Sequence, residues 1–339
     1  MWSKMLSDKA GHAGTPMLVV SAVDRATLET PVHWIDRPPH KGLVTFEEDR
    51  DVIYSIMEKL LDQKLKVLKE QKMQSYFYYL ARYEVLLGLP LVERSLEEFS
   101  RRFEMSLEAE MAAKSDRNLG LLPCAVMSGD ADLIPVLVEK GLSPNLQLKP
   151  MLEVRIMSSL TLIQLAVDVA WRQPKVLESL LRVKADCNSV DDLGYPVLGF
   201  CRTRRDVDLL FESHAEVNRR SGPSRQSALS VACEYCAPLE VIRGLLDHGA
   251  EVNPSGGGYG CPHPLAFLSI WAKANPHVIE SAKLLLKAQV DVNQRCLAGG
   301  RWRSLELLSR AYLSVTESVM DVQSSMLLKY FAAPPRRLS

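Results

Sequence analysis

The stretch LLDHGAEVN, residues 245–253, reads as the end of a helix followed by a stop. Leu245 and Leu246 supply a core face, Gly249 can take the positive φ of a helix C-cap, and a short polar turn closes on Asn253. Weaker copies stand at residues 137–145 (LVEKGLSPN), 180–188 (LLRVKADCN), 210–218 (LFESHAEVN) and 285–293 (LLKAQVDVN). Their terminal asparagines lie about 43, 30, 35 and 40 residues apart, within the spacing at which stacked supersecondary units recur. Gly141 and Gly249 hold the turn position in two copies, whereas Lys184, His214 and Gln289 hold it in the others.

Ahead of these ends lie short helical stretches of small and apolar residues: Leu122-Pro123-Cys124-Ala125-Val126, then Thr161 to Ala166 (TLIQLA), Tyr195-Pro196-Val197-Leu198, Ser227 to Ala232 (SALSVA) and His263-Pro264-Leu265-Ala266-Phe267. Pro174, Pro238 and Pro276 each precede an apolar helix by its first turn, where a missing N–H costs nothing. The pattern resembles the ankyrin repeat, whose units begin with T-P-L-H-L-A-A, turn at G-H, where this chain has Gly129-Asp130, and end in a G-A-D-V-N-like turn. The resemblance covers residues 119–331. It implies an all-α fold: a solenoid of about five to six irregular helix–turn–helix units with projecting hairpins, preceded by an N-terminal helical region. It also implies that another protein binds along the concave face and hairpin fingers. The third unit, with the shortest step, is expected to be the most damaged. Trp171 and Trp271 are expected to extend inner helices over the next unit, residues 304–331 to close the stack, and residues 332–339 to form a flexible tail ending in Arg-Arg-Leu-Ser, similar to a basophilic kinase site.

Residues 1–45 read as an irregular arm with a short strand in the run Leu18 to Val23. In residues 46–114, Thr45-Phe46-Glu47-Glu48 has capping-box form, so a helix is expected from there to about Met73. Phe46, Ile53, Leu60 and Val67 recur every seven residues, but Arg50 and Lys64 occupy the companion seam, so packing within the chain is expected over a coiled coil. Tyr76, Phe77, Tyr78, Tyr79 and Tyr83 predict an aromatic core in a second helix ended by Gly88-Leu89-Pro90. A third helix is expected from Pro90 to about Lys114, giving a small bundle or a cap on the array.

Lys plus Arg equals Asp plus Glu at 41 each, so no global field draws nucleic acid or an anionic membrane. Seven cysteines at irregular spacing do not read as a disulfide framework and point to a reducing compartment, cytoplasmic or nuclear. No apolar run approaches the roughly 18 residues of a membrane span, and Met17 to Val23 is too short for a signal peptide.

Chemistry-bearing motifs are sparse. Cys233 and Cys236 have zinc-knuckle spacing and Cys261 and His263 follow, but Cys233 occupies a small-residue helix slot, so packing is expected there. Ser255 to Gly260 (SGGGYG) lacks the Lys-Ser/Thr of a phosphate loop and reads as a flexible finger. No catalytic constellation assembles, so the expectation is a non-enzyme with no cofactor, no metal and no small-molecule substrate.

Charge on the fingers is more informative. Arg219, Arg220 and Arg225 follow the third unit, Arg295, Arg301 and Arg303 follow the fifth with Trp302 between the last two, and Arg202, Arg204 and Arg205 stand in the turn of the third. Hairpin tips of adjacent units line one rim, so these arginines, with Tyr259 in the glycine finger, are expected to bind an acidic or phosphorylated segment of a partner protein. The competing expectation is a solvated surface neutralised by nearby acids. Two other classes stay open: an enzyme or enzyme subunit with its chemistry in residues 1–114, and a binder of anionic lipid or nucleic acid through the arginine strip.

Overall fold

The computed structural model describes residues 17–22, 25–29, 39–41, 46–112, 119–151, 154, 156, 158–170, 173–222, 225–254, 263–271 and 277–291. These are mostly helical. Strands β1 (Met17–Ala22) and β2 (Arg25–Glu29) pair antiparallel, with Met17 opposite Glu29, so the arm holds a hairpin where one strand was expected.

Helix α1 (Asp49–Glu70) buries Met57, Leu61 and Leu68 and leaves Phe46, Val52 and Ile56 exposed. Of the seven-residue seam, Phe46 is exposed and Ile53, Leu60 and Val67 are half-buried, flanking the fully buried stripe by which the helix packs on its own domain. It starts at Asp49 without a side-chain cap on Glu48, not at the capping box expected of Thr45, which lies outside the described residues. It ends at Glu70, where Lys72 turns left-handed (φ 53°). Helices α2 (Ser75–Ala81) and α3 (Tyr83–Leu86) follow, with Tyr78 and Tyr79 buried edge to face at 5.5 Å between ring centroids.

The single helix expected over residues 90–114 is two. Helix α4 (Leu96–Phe103) opens on a capping box between Ser95 and Glu98, which places residues 90–95 before it, and ends where Glu104 adopts φ 53°. Ser106 Oγ then accepts from the Ala109 amide at 3.1 Å as α5 (Leu107–Ala112) begins.

The remaining elements form two rows. Helix α6 (Leu121–Ser128) is buried at every position, as befits a short helix clasped on all sides. It packs in series with α8 (Leu162–Ala170), the 3-10 turn Val197–Phe200, α11 (Ala228–Glu234) and α13 (Pro264–Trp271). The second row runs through α7 (Leu133–Glu139), α9 (Pro174–Arg182), α10 (Arg204–Glu212), α12 (Leu239–Asp247) and α14 (His277–Lys287). Each outer helix buries a leucine one turn from its end: Leu137, Leu180, Leu210, Leu245 and Leu285, all fully inaccessible. Burial of one such side chain stabilises the fold by about 1.5–3 kcal/mol.

The same five leucines set the turns that follow. Their carbonyls accept from the amides of Leu142, Ala185, Ala215, Ala250 and Val290 at 2.9–3.1 Å, the six-residue closure of a Schellman motif. Gly141, Lys184, His214, Gly249 and Gln289 all take positive φ, at 105°, 62°, 69°, 82° and 62°. Loss of glycine at three positions has not altered the turn.

The inner row is at its shortest between α8 and α11. Its element there is a four-residue 3-10 turn, with Pro196 extended (ψ 146°) before it and Cys201 extended after it. Val197 and Leu198 still fill the inner row, and Gly199 lets α11 approach so closely that a Cβ there would lie 2.5 Å from Val231 Cβ.

Residues 46–112 join this stack through the core and a buried ionic cluster. Helices α2 and α3 pack on α6. Arg94, with a side chain 8% exposed, holds Glu84 at 2.5 Å and Asp130 at 3.2 Å, and Arg102 holds Glu84 at 2.9 Å. Asp130 also accepts from Ser128 Oγ at 2.7 Å, yet burial pushes its carboxyl above the usual range against the pull of Ser128 and Arg94.

Candidate functional site

The asparagines that end the units form a ladder between successive turns. Asn145 Oδ1 accepts from the Asp186 amide at 2.8 Å, Asn188 from Glu216 at 2.7 Å, Asn218 from Glu251 at 2.7 Å and Asn253 from Asp291 at 2.6 Å. The side-chain amides of Asn188, Asn218 and Asn253 donate in return to the carbonyls of His214, Gly249 and Gln289 at 3.1, 2.9 and 3.0 Å. Those three acceptors are the left-handed residues of the next turn. Helix-end geometry and rung formation are thus one device: the turn presents an amide and a carbonyl side by side, and a planar carboxamide is the side chain that matches both.

Along this framework three of the expected arginines, Arg204, Arg205 and Arg220, reach acids of neighbouring elements. Arg204 lies in the first turn of α10, not in a loop, because Thr203 and Asp206 form a capping box one residue earlier. It contacts Asp208 at 2.9 Å and reaches across to Asp247 of α12 at 2.5 Å. Both partners hold its guanidinium pKa up, Asp247 first. Asp208 also meets His248 Nε2 at 2.7 Å. Partial burial raises the Asp208 carboxyl, but His248 and Arg204 outweigh it and hold it below the usual range. Arg205 pairs with Glu178 of α9, Arg219 with Glu216 at 3.6 Å, and Arg220 with Glu251 of the next hairpin. Arg225 is exposed in a left-handed conformation (φ 49°). Tyr259, Arg295, Arg301, Trp302 and Arg303, like Trp171, Pro276, Cys261 and residues 304–339, lie outside the described residues. Arg204, Arg205 and Arg220 thus strap successive elements and Arg219 pairs locally, so these four face acids instead of presenting free charge.

The cysteines Cys124, Cys187, Cys201, Cys233 and Cys236 are free thiols. Burial pushes the Cys233 thiol well up and that of Cys236 to about 11, so neither is a ready thiolate. Among the described residues no group of three His, Cys, Asp or Glu is placed to hold a metal. His263 is buried beside Asn253, 3.4 Å from its Oδ1, and burial pulls its pKa down to about 4.

One cluster escapes the sequence reasoning. Tyr195, before the 3-10 turn, Phe200, at its end, and Tyr235, capping α11, form a triangle with centroid separations of 6.3, 6.4 and 5.4 Å. Tyr235 is 52% exposed. Glu234 sits beneath them within hydrogen-bonding reach of Gln226 and Tyr195, and burial raises its carboxyl above the usual range. Its Oε2 is inaccessible and without a hydrogen-bond partner. Asp191, buried, accepts from the amides of Leu193 and Tyr195 at 3.0 and 2.8 Å. Burial first, then the charges of Glu234 and Asp191, push the Tyr235 phenol up to about 12. The signal in the sequence was aromatic residues at the ends of two successive inner elements. Tyr195 looked like a helix starter and Tyr235 like the spacer of a Cys-x-x-Cys.

No helix among the described residues is long and apolar enough to cross a membrane. No protein-family model matches this sequence, and no curated protein matches it.

Proposed function

We propose that this chain is a non-catalytic scaffold, an ankyrin-like solenoid that binds another protein along its inner row and hairpin edge. The observation that carries this is the asparagine ladder. Unit ends of different sequence take one backbone form and are tied by one side-chain type, so the repeated positions serve stacking and the surface between them is released for recognition. The free cysteines fit a reducing compartment, in the cytoplasm or nucleus. An acidic partner docking on the arginines is disfavoured by their existing pairs, so the inner edge is the better surface.

Photo-crosslinking tests this. A benzophenone side chain at Tyr235, on the inner row, is expected to give a discrete crosslinked product in cells, while the same probe at Phe211, exposed on the outer row, gives none. Equal products from both faces, or none from either, contradict a scaffold that binds through its inner row.

A further inference from the structure

We propose that the Tyr195–Phe200–Tyr235 cluster, with Glu234 behind it, receives the ammonium group of a lysine side chain on a partner segment. This rests on the protein-binding function above and names the chemistry of one contact in it.

Three observations converge. The rings are mutually tilted by 47°, 77° and 50°, so no pair is stacked face to face, and the Tyr235 ring, the exposed member, is the one a visiting cation would meet first. Glu234 brings a carboxylate whose Oε2 has no hydrogen-bond partner, which an N–H of an ammonium group would satisfy. Acids elsewhere on the array, Glu178, Asp208, Asp247 and Glu251, have arginines, whereas the groups that fix Glu234, Asp191 and Tyr235 include no cation. Those four acids of the outer row and hairpins are paired with cations, whereas Glu234 lies beside the aromatic rings with an unpartnered oxygen.

A lysine suits this arrangement better than an arginine. Its stem lies along the exposed Tyr235 ring, and its compact head has donors that turn toward one carboxylate oxygen, whereas a planar guanidinium calls for two acceptors in a row. Tyr235, at the surface, is the ring whose movement admits the head to the inaccessible oxygen.

The test uses the full chain and immobilised random-sequence peptide pools that differ only at one fixed central residue: lysine, trimethyl-lysine, arginine, norleucine or glutamate. The lysine pool is expected to retain about tenfold more protein than the norleucine and glutamate pools, and more than the arginine pool or the trimethyl-lysine pool, whose head has no N–H to give Glu234. Glu234→Gln and Tyr235→Ala should each remove that preference, while Phe211→Ala, on the outer row, leaves it intact. Circular dichroism of each variant verifies folding, and Tyr235→Phe, which keeps the ring, should retain the preference. Equal retention of the lysine and norleucine pools overturns the lysine site but leaves peptide binding by the array standing. A lysine preference unmoved by Glu234→Gln and Tyr235→Ala overturns the assignment to this cluster. No retention of any pool overturns the site, and the crosslinking experiment then decides the scaffold separately.

Discussion

Replacing His214 by glycine is expected to stabilise the protein. His214 sits at the left-handed position of a Schellman turn (φ 69°), with its side chain exposed, its amide donating to the Phe211 carbonyl and its carbonyl accepting from Asn188, bonds that glycine keeps. An L-residue in that conformation costs about 1–2 kcal/mol relative to its ordinary backbone. Glycine removes the cost, and its extra freedom in the unfolded chain takes back about 0.4–1 kcal/mol. The net gain is about 0.5–1 kcal/mol, and Lys184→Gly and Gln289→Gly should match it, since both residues are exposed at φ 62°. Gly249→Ala provides the opposite sign: a Cβ there meets nothing within 4 Å, so the loss of about 0.5–1 kcal/mol is backbone strain alone. Urea denaturation of the full chain, followed by circular dichroism, reads all four. The reasoning fails if His214→Gly destabilises, or if Gly249→Ala and the glycine variants shift the midpoint in the same direction.

Gly199→Ala should cost about 1–3 kcal/mol in the same assay, because its Cβ would lie 2.5 Å from Val231 Cβ and 2.6 Å from its Cγ1, and Val231→Gly, which removes both atoms, should show favourable coupling with it in a double-mutant cycle. Arg94→Met should cost about 3–5 kcal/mol by stranding the buried Asp130, with the cost moderated at Glu84 by Arg102. Adding Asp130→Asn to it should restore stability, which a purely steric effect of methionine would not allow. His263 gives a pH signature. Its folded pKa, about 4, lies below the unfolded value of 6.5, so the unfolded state takes up the proton first and its contribution, full above 6.5, is lost as pH falls. Between about pH 7.5 and pH 5 the loss should be about 2 kcal/mol more in the wild type than in His263→Gln. Asp130, Asp191, Asp206 and Glu234, raised by burial, slope the opposite way in both proteins and cancel in the comparison.

The recurring helix ends were legible because their signals are local. A leucine pair, a turn residue and an asparagine lie within nine positions, and Pro174 stands at the first turn of α9 just where its spacing requires. The turn residues themselves were misleading. Lys184, His214 and Gln289 suggest a changed geometry, but hydrogen bonding on both sides of each turn fixes the left-handed backbone whatever the side chain. Residues 46–112 were read less well because helix breaks there depend on non-local contacts. Glu104 pairs with Lys69 of α1, and nothing near it in sequence announces a stop. The arginines were found with two readings open, and their pairs agree with neutralisation by nearby acids, though the partners themselves were not identified. Asp247 lies 43 residues from Arg204 and Glu251 31 residues from Arg220, so neither pair shows until the units are stacked. The aromatic cluster stayed hidden for the same reason, since Tyr195 and Tyr235 meet only across two units.

The central claim is that equivalent units are stacked and tied by asparagines, and native-state hydrogen exchange tests it most directly. The amides of Asp186, Glu216, Glu251 and Asp291 lie in short turns between helices, where an unladdered chain would exchange freely. Slow exchange is expected at each, with Asn218→Ala releasing the Glu251 amide and sparing Asp186. Rapid exchange at these amides in the wild type, or protection of Glu251 that survives Asn218→Ala, would contradict the stack.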